Sequence, residues 1–570
     1  MKRLRLIGAL ALLVLAVIVV YNNTRPQRKH RSLWTAFQSV GVDPFAFTTT
    51  CGGDRPVAIP EVSGIGLALL DIDGDGHLEV FIANGATLDA PEEGPGCRLF
   101  TAPPDITDIT RRAGIDIHRW ATSATPFDLE GDGDTDLYVT CIGANVLLRN
   151  DDGVFTDITN EAGVGDEGWA TCAAPGDVNG DGWTDLYVVN YLHWDFDASL
   201  PKPSTFMGTD VLAGPRGLPP QQDRLYLNNG DGTFTDATDS SGLAALEPSY
   251  GLNAVITDFT GDGQQDILVA NDTMANLLLT RAAGEAFTMH DIASDVGLST
   301  NADGGAQATM GLAIGDVNGD GAPDVFSTNF SSDTNTLHVS NGSGFWSDRT
   351  QAYGLGLQSR PNLGWTTFFM DLDWDGDEDL FILNGHVYQQ ATMETMDSTY
   401  AQTPQRLDRE GDRFMLKKSR SMWGETPAVH RVGVKGTLDL DHSGDFFLAT
   451  ASRNGPIELL RLRGLGNRSP GTYLLEDDRP GIGNREGHGA HLEFHHGTEV
   501  HHRWITTSSP FQGADPAQVH VCLDWPQGSP ATCFVDWPDG QRTRHDIKPN
   551  QHVTVLRRSE GTLIPPLPTP

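Results

Sequence analysis

Carboxylates alternate along Asp128-Leu-Glu-Gly-Asp-Gly-Asp-Thr-Asp136, with glycine at the sixth position and the β-prone run Leu137-Tyr-Val-Thr140 directly after. Few local patterns restrict a chain so tightly. A hard divalent cation such as Ca²⁺ takes six to eight oxygens at roughly 2.3–2.6 Å, and alternate residues of a tight loop can supply them. In that arrangement positions 1, 3, 5 and 9 offer side-chain oxygens, position 7 offers its backbone carbonyl, and the glycine allows the turn.

The pattern recurs in the same register. It reads Asp71, Asp73, Asp75, His77, Glu79 in the first loop and Asp128, Glu130, Asp132, Asp134, Asp136 in the second. The third and fourth are Asp177, Asn179, Asp181, Trp183, Asp185 and Asp258, Thr260, Asp262, Gln264, Asp266. The fifth and sixth are Asp316, Asn318, Asp320, Ala322, Asp324 and Asp371, Asp373, Asp375, Asp377, Asp379. A seventh copy, Asp439 to Asp445, has Phe447 where the last acid belongs and is expected to have lost its ion. Solvated surface acids have no reason to repeat at a fixed phase. Loops 1, 2 and 6 carry the most carboxylate and should bind most tightly, and loop 4, with Thr260, more weakly.

These are not helix-flanked loops. Position 12, a bidentate Glu in the helical calcium loop, is Ile82, Val139, Val188, Val269, Ser327 or Ile382 here. Short apolar runs such as Leu186-Tyr-Val-Val follow position 9, which marks buried strands. A second element keeps phase with the loops: aromatic-x-Asp-x-Thr followed by Ala-Gly-aliphatic, as in Phe155 to Thr159 with Ala162-Gly-Val164. Copies begin at Ile106, Phe234, Phe287 and Phe345, with outer ones near Trp34 and Phe414. Seven units of about 50–80 residues, rich in strands and turns, fit a seven-bladed β-propeller, whose closure leaves no long free sheet edge. The ring is placed at residues 32–465, with the Pro-rich stretch from Leu200 to Gln222 inserted in its third blade. His193, Trp194 and Trp183 could line a binding surface; the plainer expectation is that they pack that insertion onto the blade.

The net charge of -37 argues against nucleic-acid binding, which needs a basic face. Residues 1–21 carry a basic start and an apolar run from Leu6 to Tyr21, the grammar of an export signal or uncleaved signal anchor, with 22–31 as linker. An exported, membrane-anchored or secreted chain suits the loops, since millimolar Ca²⁺ is found outside cells. Six cysteines fit an oxidising compartment. Pairing cannot be deduced from sequence; neighbour pairing would give Cys51–Cys97, Cys141–Cys172 and Cys522–Cys533, and the alternative is that one or more pairs stay buried thiols.

The loops resemble FG-GAP/VCBS repeats, the blades of integrin-α-like propellers. Ala308-Thr-Met-Gly-Leu312 and Leu383-Asn-Gly-His-Val-Tyr388 resemble the cartilage acidic protein family more specifically. The C-terminal portion, residues 466–560, is similar to the ASPIC/UnbV domain at Gly483-Asn-Arg-Glu-Gly-His-Gly-Ala490, Val535-Asp-Trp-Pro-Asp-Gly540 and Pro549-Asn-Gln551. It departs from it at Val519-His-Val-Cys-Leu523, and residues 561–570 form a Pro-rich tail. The resemblance implies an all-β, extracellular, calcium-binding propeller with a small C-terminal β domain and interaction roles. In the C-terminal domain a buried face of Leu492, Phe494, Val500 and Trp504 requires a three-residue turn through Gly497. His491, Glu493, His495 and His501 would then share the outer face, where imidazoles could hold a transition metal at His491, His495 and His501. A solvated hairpin face is the plainer alternative.

The chain has no Ser nucleophile elbow, His-Glu-x-x-His helix or P-loop. The expected function is a protein or glycan interaction and adhesion module at the envelope or outside the cell. A secreted or periplasmic enzyme and an inert envelope scaffold stay open.

Overall fold

A computed structural model describes residues 37–40, 43–281, 287–417, 429–438, 446–462, 471–523, 531–548 and 552–565. The apolar N-terminal run, Trp34 and the degenerate loop Asp439 to Asp445 lie outside the described residues. Among the described residues, no helix is long and apolar enough to cross a membrane.

The chain is all-β. Among the described residues, seven four-stranded sheets draw on strands between Phe37 and Leu462, the first of them completed by Gly513–Ala514. In the second sheet, strands Ala121–Phe127, Asp136–Cys141, Val146–Asp151 and Val154–Asp157 pair antiparallel in chain order. The third to sixth sheets repeat this plan. Their first strands are Ala170–Gly176, Gly251–Thr257, Leu312–Gly315 and Gly364–Met370. The seventh sheet is completed from the far end of the chain, with Phe37–Ser39 pairing against Ile457–Leu462. Each first strand packs against the first strand of the next sheet, and His430–Thr437 of the seventh returns to Gly66–Leu70 of the first.

The sequence explains this convergence. First strands carry small residues, as in Ala170-Thr-Cys-Ala-Ala-Pro-Gly176, all buried where backbones crowd together. Their threonines bridge neighbouring sheets: Thr125 Oγ1 donates to Ala173 O at 2.8 Å and Thr171 Oγ1 to Gly251 O at 3.1 Å. Second strands such as Asp185–Asn190 are buried on both faces between sheets and so read as unbroken apolar runs.

The aromatic-x-Asp-x-Thr element forms the outer strand and the crossover. Asp157 Oδ1 accepts from the Thr159 N–H and hydroxyl, and Thr159 Oγ1 accepts the Leu147 N–H at 2.8 Å. Asp236 with Thr238 and Asp348 with Thr350 repeat this for Leu225 and Leu337. The threonine thus satisfies a buried backbone donor at the sheet's outer edge.

The C-terminal domain has a three-stranded sheet (Gln518–Val521, Gly471–Glu476, Val553–Arg557) and a five-stranded sheet (Glu499–Trp504, His491–His496, Ala531–Asp536, Arg542–Ile547, Thr562–Ile564). Its core includes Tyr473, Phe494, Val521, Val535 and Trp537. Residues 35–570 form one compact unit, because Thr506 to Asp515 thread between the first strands of the repeats. Asn253 Nδ2 and the Leu312 N–H donate to Ser509 O at 2.9 and 3.2 Å. Thr366 Oγ1 donates to Phe511 O at 3.3 Å and the Leu67 N–H to Gln512 O at 3.3 Å. Gly513 and Ala514 pair in parallel with Leu67 and Ala68. Lys435 Nζ meets Asp515 Oδ2 at 2.6 Å.

The expected disulfides do not form. All six cysteines are buried, and none is joined to another. Each expected pair is divided between separate cores: Cys51 from Cys97, Cys141 from Cys172, and Cys522 from Cys533.

Thr159→Val keeps the shape but strips the Leu147 N–H and Asp157 of a partner. It should lower stability by about 1–3 kcal/mol in urea melts, whereas Thr156→Val, at an exposed site, should stay near wild type.

Candidate metal centres

Each acidic loop is the hairpin between the first and second strands of its sheet. In the second loop the N–H groups of Gly131, Asp132 and Gly133 donate to Asp128 at 2.7, 3.2 and 2.9 Å. The same fan of positions 4, 5 and 6 surrounds Asp177, Asp258 and Asp316. The fan requires positive φ at position 6, from 82° at Gly76 to 101° at Gly133. Position 4 takes it too, and in the sixth loop Trp374 does so at 61°, a conformation that disfavours a large side chain.

Position 7 is pinned in all six loops, its N–H donating to the position-5 carboxylate: His77 to Asp75, Asp134 to Asp132, Trp183 to Asp181, Gln264 to Asp262, Ala322 to Asp320 and Asp377 to Asp375. Position 9 ties the loop to the sheet. Asp136 Oδ2 accepts the Leu129 N–H at 2.7 Å, and Oδ1 accepts the Asn150 N–H of the third strand at 2.7 Å. Asp185, Asp324 and Asp379 do likewise, while Glu79 accepts the Ile72 N–H.

The residues fit a divalent cation. Asp71 Oδ1, Glu130 Oε2, Thr260 Oγ1, Asp266 Oδ1 and Asp373 Oδ1 are buried oxygens with no hydrogen-bond partner among the described residues. They fall on positions 1, 3 and 9 of loops 1, 2, 4 and 6. Asp71, Asp73 and Asp75 bring ligand atoms within 4.8 Å of one another, as do Asp371, Asp373 and Asp375. Loops 3 and 5 differ: Asn179 and Asn318 donate from Nδ2 to Asp181 and Asp320 at 2.8 and 2.9 Å. A bound cation would draw on these oxygens for charge and coordination.

Burial pushes these acids up. Glu79 rises to about 8, Asp128 to about 7, Asp136 to about 9, Asp324 to about 8 and Asp373 to about 6, in each case chiefly by loss of hydration. Neighbouring carboxylates add to this.

The C-terminal domain sits on these loops, which the sequence did not reveal. Gly483 and Asn484 donate their N–H groups to Gly182 O at 2.9 and 3.0 Å. Gly483 lies so close to Trp183 that an added Cβ would be 2.2 Å from its ring; Trp183 therefore packs on this domain and not on the insertion. Trp194 does pack within the insertion's surroundings, against Trp169 and Phe196. Arg485 donates to Gly131 O, Thr257 Oγ1 donates to Gly489 O, and Arg503 pairs with the buried Glu378 at 3.1 Å. The contacting loop residues Gln265 and Glu378 occupy position 8, which the cation pattern leaves free to vary.

The histidine hairpin has a different register from the one expected. His496 pairs with Glu499 across a two-residue turn, Gly497-Thr498. His491, Glu493 and His495 therefore share a face with His502, opposite Glu493, while His501 pairs with Phe494 on the other face. His491, His495 and His501 do not converge on a metal. Instead His491 links Asp536 at 2.9 Å to His502 at 3.0 Å. Burial, then His491, lowers His502 to about 4, consistent with a neutral hydrogen-bonded ring.

In chelator, the folded chain holds protons on these raised acids that the unfolded chain has already released. Stability should therefore fall as pH rises from about 4 to about 9, each pKa unit being worth about 1.4 kcal/mol per group. Excess Ca²⁺ should flatten that dependence of Tm. Asn179→Asp adds a like charge costing on the order of 3 kcal/mol at about 5 Å, so its Tm should drop in chelator and exceed wild type in Ca²⁺.

Family models match the chain as FG-GAP-like repeat over residues 128–188, 209–269, 258–327 and 316–382, and as ASPIC and UnbV over residues 481–562. No curated protein matches it. Among solved structures, it is similar to BBS1N in complex with ARL6DN, at 11% identity over 77% of this chain and 99% of that one (TM-score 0.42). It is also similar to a lectin of Agrocybe aegerita, titled for recognition of non-reducing terminal N-acetylglucosamine, at 15% identity over 62% and 80% (TM-score 0.33). The V. cholerae biofilm matrix protein Bap1 is similar at 12% over 94% and 65% (TM-score 0.29). The chain belongs to the FG-GAP-like repeat proteins that end in an ASPIC and UnbV domain, the architecture of the cartilage acidic protein family.

Proposed function

We propose that the chain is an exported, calcium-stabilised, seven-bladed β-propeller that serves as a protein or glycan interaction module at the cell envelope or outside it. Six hairpins with a shared cation-binding register support the calcium reading, and the unpartnered oxygens of loops 1, 2, 4 and 6 strengthen it. The single observation that carries the interaction reading is the division of faces. The C-terminal domain contacts loops 2 to 6, so the acidic face is committed to an internal partner. The other end of the first strands, opposite the loops, is left to meet an external one. Binding rather than catalysis is the reading the sequence favours, and the acids bound to cations are poor proton donors.

Ion binding and domain docking act on the same loops, so they are coupled. At free Ca²⁺ about 100-fold above Kd, each site stabilises the fold by about 2.7 kcal/mol. Metal analysis should find about six Ca²⁺ per chain, in keeping with six oxygen-rich loops. Chelator should lower Tm and remove binding on a glycan and protein array together. An unchanged melt in excess chelator would sink the calcium reading; array binding indifferent to Ca²⁺ would separate the interaction face from the loops.

A further inference from the structure

A cavity of about 510 Å³ opens among the first strands, at the end away from the acidic loops. That is the size of a small-molecule site. Its floor is the threaded C-terminal segment, with Phe511 against Trp365 at 4.8 Å between ring centres. Its walls include Tyr191, Phe330 and Tyr388. The third-sheet insertion forms the roof. There the hairpin Ser204–Phe206/Thr209–Val211 reaches across to the fifth and sixth sheets. Phe206 packs on Phe330 and Tyr388 at 5.6 and 5.7 Å, and Gln390 Nε2 donates to Asp210 O at 3.3 Å.

Three features describe an occupant. Aromatic residues line the space. The ionic residues of the lining, Lys202, Arg216, Asp272 and Asp333, balance in charge, so neither an anion nor a cation is favoured. Hydrogen-bonding capacity is left over: Gln512 in the floor is fully buried, and among the described residues neither its amide N nor O is partnered, nor is the Thr273 hydroxyl. Asp272 has one carboxylate oxygen taken, by the Tyr191 hydroxyl at 2.7 Å. A purely apolar ligand would leave the amide unpaired. A pyranose presents C–H faces to rings and hydroxyls that both donate and accept.

We propose that this cavity binds a neutral sugar residue, free or at the end of a glycan, between the aromatic walls and the Gln512 amide. This deepens the interaction-module reading and rests on it.

The test titrates the full chain, loaded with Ca²⁺, with neutral methyl glycosides and disaccharides of glucose, galactose, mannose and N-acetylglucosamine, read by saturation-transfer NMR and Trp fluorescence. At least one should bind saturably. Gln512→Met removes the spare donor and acceptor at similar volume, so affinity should fall about tenfold while Tm holds or rises, because unpartnered buried atoms are lost. Asp272→Asn and Phe206→Ala should weaken binding too. No saturable signal from any sugar overturns the proposal, as does sugar binding unmoved by Gln512→Met and Asp272→Asn, or saturable binding of acetylated dipeptide amides in place of sugars. Array binding by wild type that all three variants retain would discard this cavity yet leave the interaction-module reading standing.

Discussion

The threading of Thr506 to Asp515 between the first strands is the constraint on which the rest depends. These strands converge with small, buried residues and leave an axis that their own side chains do not fill. The C-terminal segment supplies backbone carbonyls to Asn253, Leu312, Thr366 and Leu67, and it adds a short parallel strand to the first sheet. Those donors face inward, away from solvent, where an unmade hydrogen bond is costly. The repeats and the C-terminal domain therefore share one interior.

That shared interior gives the acidic loops a second role. Their backbone N–H fans and position-9 anchors shape each hairpin without an ion, while the surplus of buried carboxylate makes the shape electrostatically expensive. The C-terminal domain leans on the same hairpins through Gly483, Arg485, Gly489 and Arg503. Charge balance in the loops and the seating of the domain are thus one problem. The Arg503–Glu378 pair, buried at the junction, is favourable only while both partners stay in register.

The loops were legible because their chemistry fixes residue type at alternate positions, and the outer-strand motif because Thr159 and its equivalents satisfy a specific backbone donor. The docking was not. Gln265 and Glu378 stand at a loop position with no cation requirement, and the glycines of residues 483–489 read locally as turns. The histidine hairpin misled because a buried-face rule for Val500 forced a three-residue turn. Gly497-Thr498 instead makes a two-residue turn, and Val500 is exposed. The cysteines misled because an even count says nothing of which core each enters. The Pro-rich insertion gave no hint that its hairpin roofs a cavity, since the partners Phe330 and Tyr388 lie more than a hundred residues further on.

The pairing of Phe37–Ser39 with Ile457–Leu462 joins residues over 400 apart. Contacts of such sequence separation form late, since the loop they close must first be paid for in chain entropy. A nascent chain emerging residue by residue has its first strand ready long before its partner exists, and the strand from Gly66 to Leu70 waits longer still for Gly513 and Ala514. Until both ends are present the outer sheets carry open edges prone to wrong pairing. The pairings that join these distant segments are therefore among the last contacts of the fold to form.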